Sequence, residues 1–179
     1  MVMAEATNHY FKHLGVSDGL SQVCIPSIYQ DELGAVWLGT TEGLNRYNGK
    51  DVKVFQPSES NHGLTNNEIN ELCGDKNGRM YIRSGNDLIK LDIYTEQFTC
   101  LRQKGVYGLF CKKDTLWVSC ADGIYYYTGQ GTELTFFARV QKGFVGRALY
   151  VDKETVWVVT RKYLVAISRE DPLRQEILL

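Results

Sequence analysis

The stretch from Gly34 to Tyr47, GAVWLGTTEGLNRY, constrains the fold more than any other, because the rest of the chain largely repeats it in weaker form. Val36-Trp37-Leu38-Gly39-Thr40 is apolar and β-prone. Thr41-Glu42-Gly43 supplies a turn whose glycine is free to take positive φ, and Leu44-Asn45-Arg46-Tyr47 alternates apolar with polar. The segment therefore reads as a β-hairpin. Aligned on its aromatic Trp37, it returns at Tyr81, Trp117 and Trp157, at successive intervals of 44, 36 and 40 residues. The leading turn keeps step: Asp31 and Gly34 recur as Asp75 and Gly78, then decay to Asp114-Thr115 and to Asp152 through Thr155. Gly43-Leu44 recurs as Asp87-Leu88, Gly123-Ile124 and Tyr163-Leu164. A repeat of about 40 to 50 residues holding four short strands is the sequence sign of a β-propeller blade.

The expected architecture is all-β: about four four-stranded antiparallel blades, near residues 23–56, 68–101, 106–140 and 146–179, after an N-terminal extension over residues 1–22. His9 to Leu14 reads as a strand that precedes the first complete unit, and in propellers a terminal strand commonly completes a distant blade and closes the ring. Four complete units plus a spare strand imply that the closing blade is absent and that the chain is a piece of a larger ring.

Composition excludes several classes. The 20 Lys and Arg are spread along the chain and matched by 21 Asp and Glu, so no basic face for nucleic acid is apparent. No apolar run approaches the roughly 18 to 20 residues of a membrane helix, and the first residues show no signal peptide. Cys24, Cys73, Cys100, Cys111 and Cys120 form no CxxC pair; they read as small buried apolar residues, one of which must stay unpaired within the chain. His9, His13 and His62 lie apart from them, so no metal site is expected. Asp75-Lys76-Asn77-Gly78 lacks the glutamate that would complete a calcium loop and reads as a tight turn. No Ser/His/Asp grouping, carboxylate pair or phosphate loop stands out, so no catalytic residue and no cofactor is assigned.

The run FKHLGVSDGLS at Phe11 to Ser21, followed by QDELGAVWLGTTEGLNRYNG at Gln30 to Gly49, resembles the two-component regulator propeller repeat. In the later units Tyr81 replaces the tryptophan and Arg83-Ser84 the glycine-threonine. Such repeats build the periplasmic sensor domain of hybrid histidine kinase/response regulators in Bacteroides-like bacteria. The resemblance implies two propellers of about seven blades, an immunoglobulin-like domain, a membrane helix, a kinase and a DNA-binding output. None of the kinase, receiver or output motifs lies in these 179 residues. The implied role is non-catalytic sensing of an oligosaccharide on the periplasmic side of the inner membrane, with signalling to a kinase outside this chain. The rivals are a propeller enzyme acting on glycans, as lyase or hydrolase, and a protein-binding scaffold.

In a four-stranded meander the loops from strand two to three and from strand four to the next blade open on one face. That face is expected to carry Thr41, Glu42, Asn86, Asp87, Asp122, Arg161 and Lys162 from hairpin tips, with Asn66, Asn67, Lys104 and Arg147 from inter-blade loops. Asn, Asp and Arg are what a sugar or carboxylate would use for directional hydrogen bonds. Trp37, Tyr81, Trp117 and Trp157 share one position inside an apolar strand and are assigned to blade packing rather than sugar stacking. The first and last units should each present an apolar flank without a neighbour, which predicts self-association, two copies completing one ring of eight blades.

Overall fold

The computed structural model describes residues 12–57, 63–140, 146 and 148–178. Among these residues sixteen strands form four antiparallel sheets, each in plain meander order. The first holds β1 (Ser27–Gln30), β2 (Val36–Thr40), β3 (Gly43–Tyr47) and β4 (Val52–Phe55); the second holds β5 (Ile69–Gly74), β6 (Arg79–Ser84), β7 (Asp87–Asp92) and β8 (Gln97–Arg102). The third holds β9 (Val106–Lys112), β10 (Thr115–Cys120), β11 (Gly123–Tyr127) and β12 (Thr135–Ala138), and the fourth β13 (Ala148–Val151), β14 (Thr155–Val159), β15 (Leu164–Ser168) and β16 (Gln175–Ile177). A three-residue 3₁₀ turn, Val16–Asp18, precedes them. No helix among the described residues is long and apolar enough to cross a membrane.

The sheets pack face to face as blades, and the core is three separate interfaces. Blades one and two enclose Trp37, Leu44, Phe55, Ile69, Met80, Ile82 and Ile89; blades two and three enclose Tyr81, Leu88, Val106, Leu116, Val118 and Tyr127; blades three and four enclose Trp117, Ile124, Val151, Val156, Val158, Val165 and Ile167. A central strand is covered on both faces, which explains runs such as LWVSC that are apolar without alternation. The first strand of each blade stands beside the first strand of the next: Leu72 N–H donates to Ser27 Oγ at 2.9 Å, Leu109 N–H to Glu71 Oε2 at 3.1 Å, and Lys112 Nζ to the Val151 carbonyl at 2.8 Å. β1, β5, β9 and β13 are therefore the inner strands.

The proposed closing strand from His9 to Leu14 falls partly outside the described residues, and Lys12 to Leu14 carry no strand. The segment behind it has a different role. Ser21 N–H donates to Asn45 Oδ1 at 2.9 Å, Asn45 Nδ2 donates to Ser21 Oγ at 2.8 Å, and Leu20 is buried. Asn45 and Thr40 point away from blade two, so the Gly19-Leu20-Ser21 loop covers the free flank of blade one. Gly63-Leu64-Thr65 repeats the device one blade later, with Leu64 buried between blades one and two.

Each tryptophan or tyrosine of the repeat is tied to its leading turn by an aspartate, except in blade three. Trp37 Nε1 donates to Asp31 Oδ2 at 2.7 Å, Tyr81 Oη to Asp75 Oδ2 at 3.5 Å, and Trp157 Nε1 to Asp152 Oδ2 at 2.8 Å. Asp114 is not the counterpart of Asp31. It forms a two-residue turn with Lys113, which takes φ 51°, and accepts instead from Asn77 of blade two. Trp157 faces the free flank of blade four and is half-buried, whereas Trp37, Tyr81 and Trp117 lie inside interfaces.

Candidate functional site

Hairpin tips and inter-blade loops share one face because they are stitched together. Lys104 N–H donates to Asp87 Oδ1 at 2.6 Å, Val106 N–H to the Asn86 carbonyl at 3.0 Å, and Ala121 N–H to the Gly105 carbonyl at 2.8 Å. Arg102 Nη2 reaches Asp122 Oδ1 at 2.8 Å, Tyr125 Oη donates to Asp122 Oδ2 at 2.8 Å, and the Arg102 guanidinium lies 4.6 Å from the Tyr125 ring centroid. Partial burial would raise the Asp122 pKa, but the bonds from Arg102 and Tyr125 outweigh it and hold the carboxyl below its ordinary value of 3.8.

These bonds divide the sequence-derived candidates. Asp87 and Asp122 organise the loops between blades two and three. Thr41 is half-buried, and the backbone of Glu42 is held by Gln56 Nε2 at 2.8 Å and by Thr40 Oγ1 at 3.0 Å. The side chains of Glu42, Asn86, Arg161 and Lys162 reach solvent on this face, as do Asn66, Asn67 and Lys104. Arg147 lies outside the described residues.

A cleft that the sequence reading missed opens at the opposite end, between blades three and four. Its volume is about 660 Å³, and its wall includes Trp117, Tyr126, Phe136, Phe137, Lys153 and Arg169. Trp117 packs edge-on to Phe137 at 5.0 Å and beside Tyr126 at 5.6 Å, and Arg169 from the β15–β16 turn sits 5.6 Å from the Trp117 ring centroid. Aromatic faces flanked by two cations and the Glu170 carboxylate suit a ring with both apolar faces and polar edges. The signal available in sequence was the pair Phe136-Phe137 beside Tyr125-Tyr126-Tyr127. What brings them to Arg169 is the docking of blade four, which no local pattern encodes. Among the described residues no three His, Cys, Asp or Glu side chains stand together as a metal site.

The two component regulator propeller family matches residues 19–42. Histidine kinase P4 of Formosa agariphila is 40% identical over 53 residues, which is 30% of this chain and 4% of that kinase. Among solved structures, the extracellular domain of a hybrid two component system of B. thetaiotaomicron superposes with a TM-score of 0.77 at 21% identity, over 94% of this chain and 26% of that one. The extracellular domain of a one component system of B. thetaiotaomicron gives a TM-score of 0.74 at 17% identity, over 94% and 27%. The chain thus spans about a quarter or less of these relatives. Propeller fold and repeat agree: this chain is a β-propeller segment in which residues 19–42 match the two component regulator propeller repeat.

Proposed function

We propose that this chain is a non-catalytic segment of the periplasmic sensor of a hybrid two-component regulator, binding an oligosaccharide and passing occupancy to a kinase elsewhere in the parent protein. The observation that carries the reading is the propeller repeat at residues 19–42, set in four blades that superpose on the extracellular domain of a hybrid two component system. Two surfaces compete for the ligand. The hairpin-tip face offers exposed Glu42, Asn86, Arg161 and Lys162. The cleft between blades three and four offers packed aromatics beside Arg169 and Lys153, and its concavity favours it, because a concave site encloses more of a ligand than exposed turns do.

Titration calorimetry with maltohexaose, cellohexaose and a chondroitin sulfate tetrasaccharide tests this. The expected result is saturable binding of one probe without turnover, weakened at least tenfold by Tyr126→Ala or Phe136→Ala. Weakening by Glu42→Ala with Arg161→Ala instead would move the site to the hairpin tips. Cleavage of any probe would replace the sensor by the glycan-enzyme reading.

Self-association belongs to the same proposal. Ile28 on blade one is 62% exposed, and Val159 on blade four is 46% exposed. In a longer ring these flanks meet further blades; in this chain alone a second copy can cover them.

A further inference from the structure

Cys73 and Cys111 lie on different blades, yet their sulfurs are 2.8 Å apart. Cys73 sits on inner strand β5 opposite Tyr81, on the flank of blade two that faces blade three. Cys111 sits on inner strand β9 opposite Leu116, on the flank of blade three that faces blade two. The two side chains therefore point at each other across one interface, held there by ladders that fix both registers. The other cysteines have no such partner in the chain: Cys24 is exposed, Cys120 is buried in the same interface but on the hairpin-tip side, and Cys100 lies on the third strand pair of blade two. From this placement we infer that Cys73 and Cys111 are a built site for a disulfide that joins the inner strands of blades two and three.

Closing the bond needs the sulfurs to approach by less than 1 Å, to about 2.05 Å. The oxidant is a disulfide-bearing thiol oxidoreductase or oxidised glutathione. One cysteine thiolate attacks the oxidant disulfide and expels the first thiol; the second cysteine thiolate then attacks the mixed disulfide and expels the second. Two protein thiols lose two protons and two electrons, and one oxidant disulfide becomes two thiols. Burial, followed by the neighbouring Cys111 sulfur, pushes the Cys73 thiol well up. The cysteine pair is set by the interface between blades two and three, whether or not the chain binds sugar.

The test uses the full chain. Protein reduced with dithiothreitol and then equilibrated with oxidised glutathione is trapped with iodoacetamide and digested with trypsin without reduction. All five cysteines fall in different tryptic peptides, and Cys73 and Cys111 fall in residues 54–76 and 105–112. The expected result is three alkylated cysteines, a mass lower by two hydrogens, and those two peptides joined. The melting temperature should rise on the order of 10 °C, as closing a loop of this size implies, and fall back with dithiothreitol. Cys73→Ser should leave four alkylated cysteines after oxidation and no rise. Five alkylated cysteines in the oxidised wild type, glutathione adducts without a cross-link, or a link between any other pair would overturn the assignment.

Discussion

Replacing Asp31 by alanine should be among the most damaging single changes on the surface-proximal turns of this chain. The carboxylate is 4% exposed and accepts from Leu33 N–H at 3.0 Å, Ala35 N–H at 2.9 Å and Trp37 Nε1 at 2.7 Å. Leu33 is exposed, so water replaces its lost partner. Ala35 and Trp37 are buried, and water cannot reach their donors. Leaving two buried donors unpaired costs about 4 kcal/mol, from roughly 2 kcal/mol each. For a chain of this size that is a drop of roughly 8–16 °C in melting temperature. Asp31→Asn keeps an acceptor for the backbone but presents an amide to Trp37, and should lose about half as much. Asp152→Ala removes the same bracket from Trp157 on a free flank, where water substitutes, and should shift the melt less than either. Thermal unfolding followed by near-ultraviolet dichroism of the tryptophans, with hydrogen exchange over residues 31–40, reads all three. Equal losses for Asp31→Ala and Asp152→Ala, or a loss under 2 °C for Asp31→Ala, would refute the argument that burial of the donors sets the cost.

Gly39→Ala should destabilise by about 1–3 kcal/mol in urea titration, because a Cβ there would lie 2.8 Å from Ile69 Cγ2 and 3.0 Å from the Ile69 carbonyl and force blades one and two apart. Asp122 has a folded pKa below its ordinary 3.8, so its contribution is present above that pH and is lost as pH falls through the lowered folded value. Asp122→Asn should accordingly lower the melting temperature at pH 6, and its difference from the wild type should shrink as pH falls below 3.8. Light scattering coupled to gel filtration should give a dimer mass for the wild type and a monomer for Ile28→Glu combined with Val159→Glu; a wild-type monomer at every concentration would remove the self-association proposal.

The blades were legible because the constraint that makes them is local. A hairpin of fixed length carries one large aromatic at the same depth, and Trp37, Tyr81, Trp117 and Trp157 mark that depth whatever surrounds them. The covering loop was less legible: Gly19-Leu20-Ser21 looks like a connection, and only the pairing of Ser21 with Asn45, 24 residues on, reveals that it shields a blade face. The hairpin-tip face followed from meander topology, but which polar residues on it are free did not. Asp87 and Asp122 are indistinguishable in sequence from Asn86 and Glu42, yet the first pair is engaged by Lys104 and Arg102 of neighbouring segments. Charge and type can be read residue by residue, whereas satisfaction depends on which strands become neighbours.

The cleft and the broken repeat occur at the same place, and one follows from the other. In blades one and four the leading turn is long enough for an aspartate to turn back and hold the tryptophan indole. Blade three shortens that turn to Lys113 and Asp114, so Lys112 pairs directly with Thr115 and no carboxylate curls back toward Trp117. The space that such a turn would occupy stays open, and Trp117, Tyr126 and Phe137 line it from one side while Lys153 and Arg169 of blade four line it from the other. Here the neighbours are aromatic and large, and the gap persists with charged side chains at its mouth. Restoring the longer turn, by replacing Lys113-Asp114 with the blade-one sequence Glu32-Leu33-Gly34 preceded by aspartate, should therefore raise the melting temperature and abolish any oligosaccharide binding measured for the wild type. Retained binding in that variant would separate the cleft from the ligand and return the site to the hairpin tips.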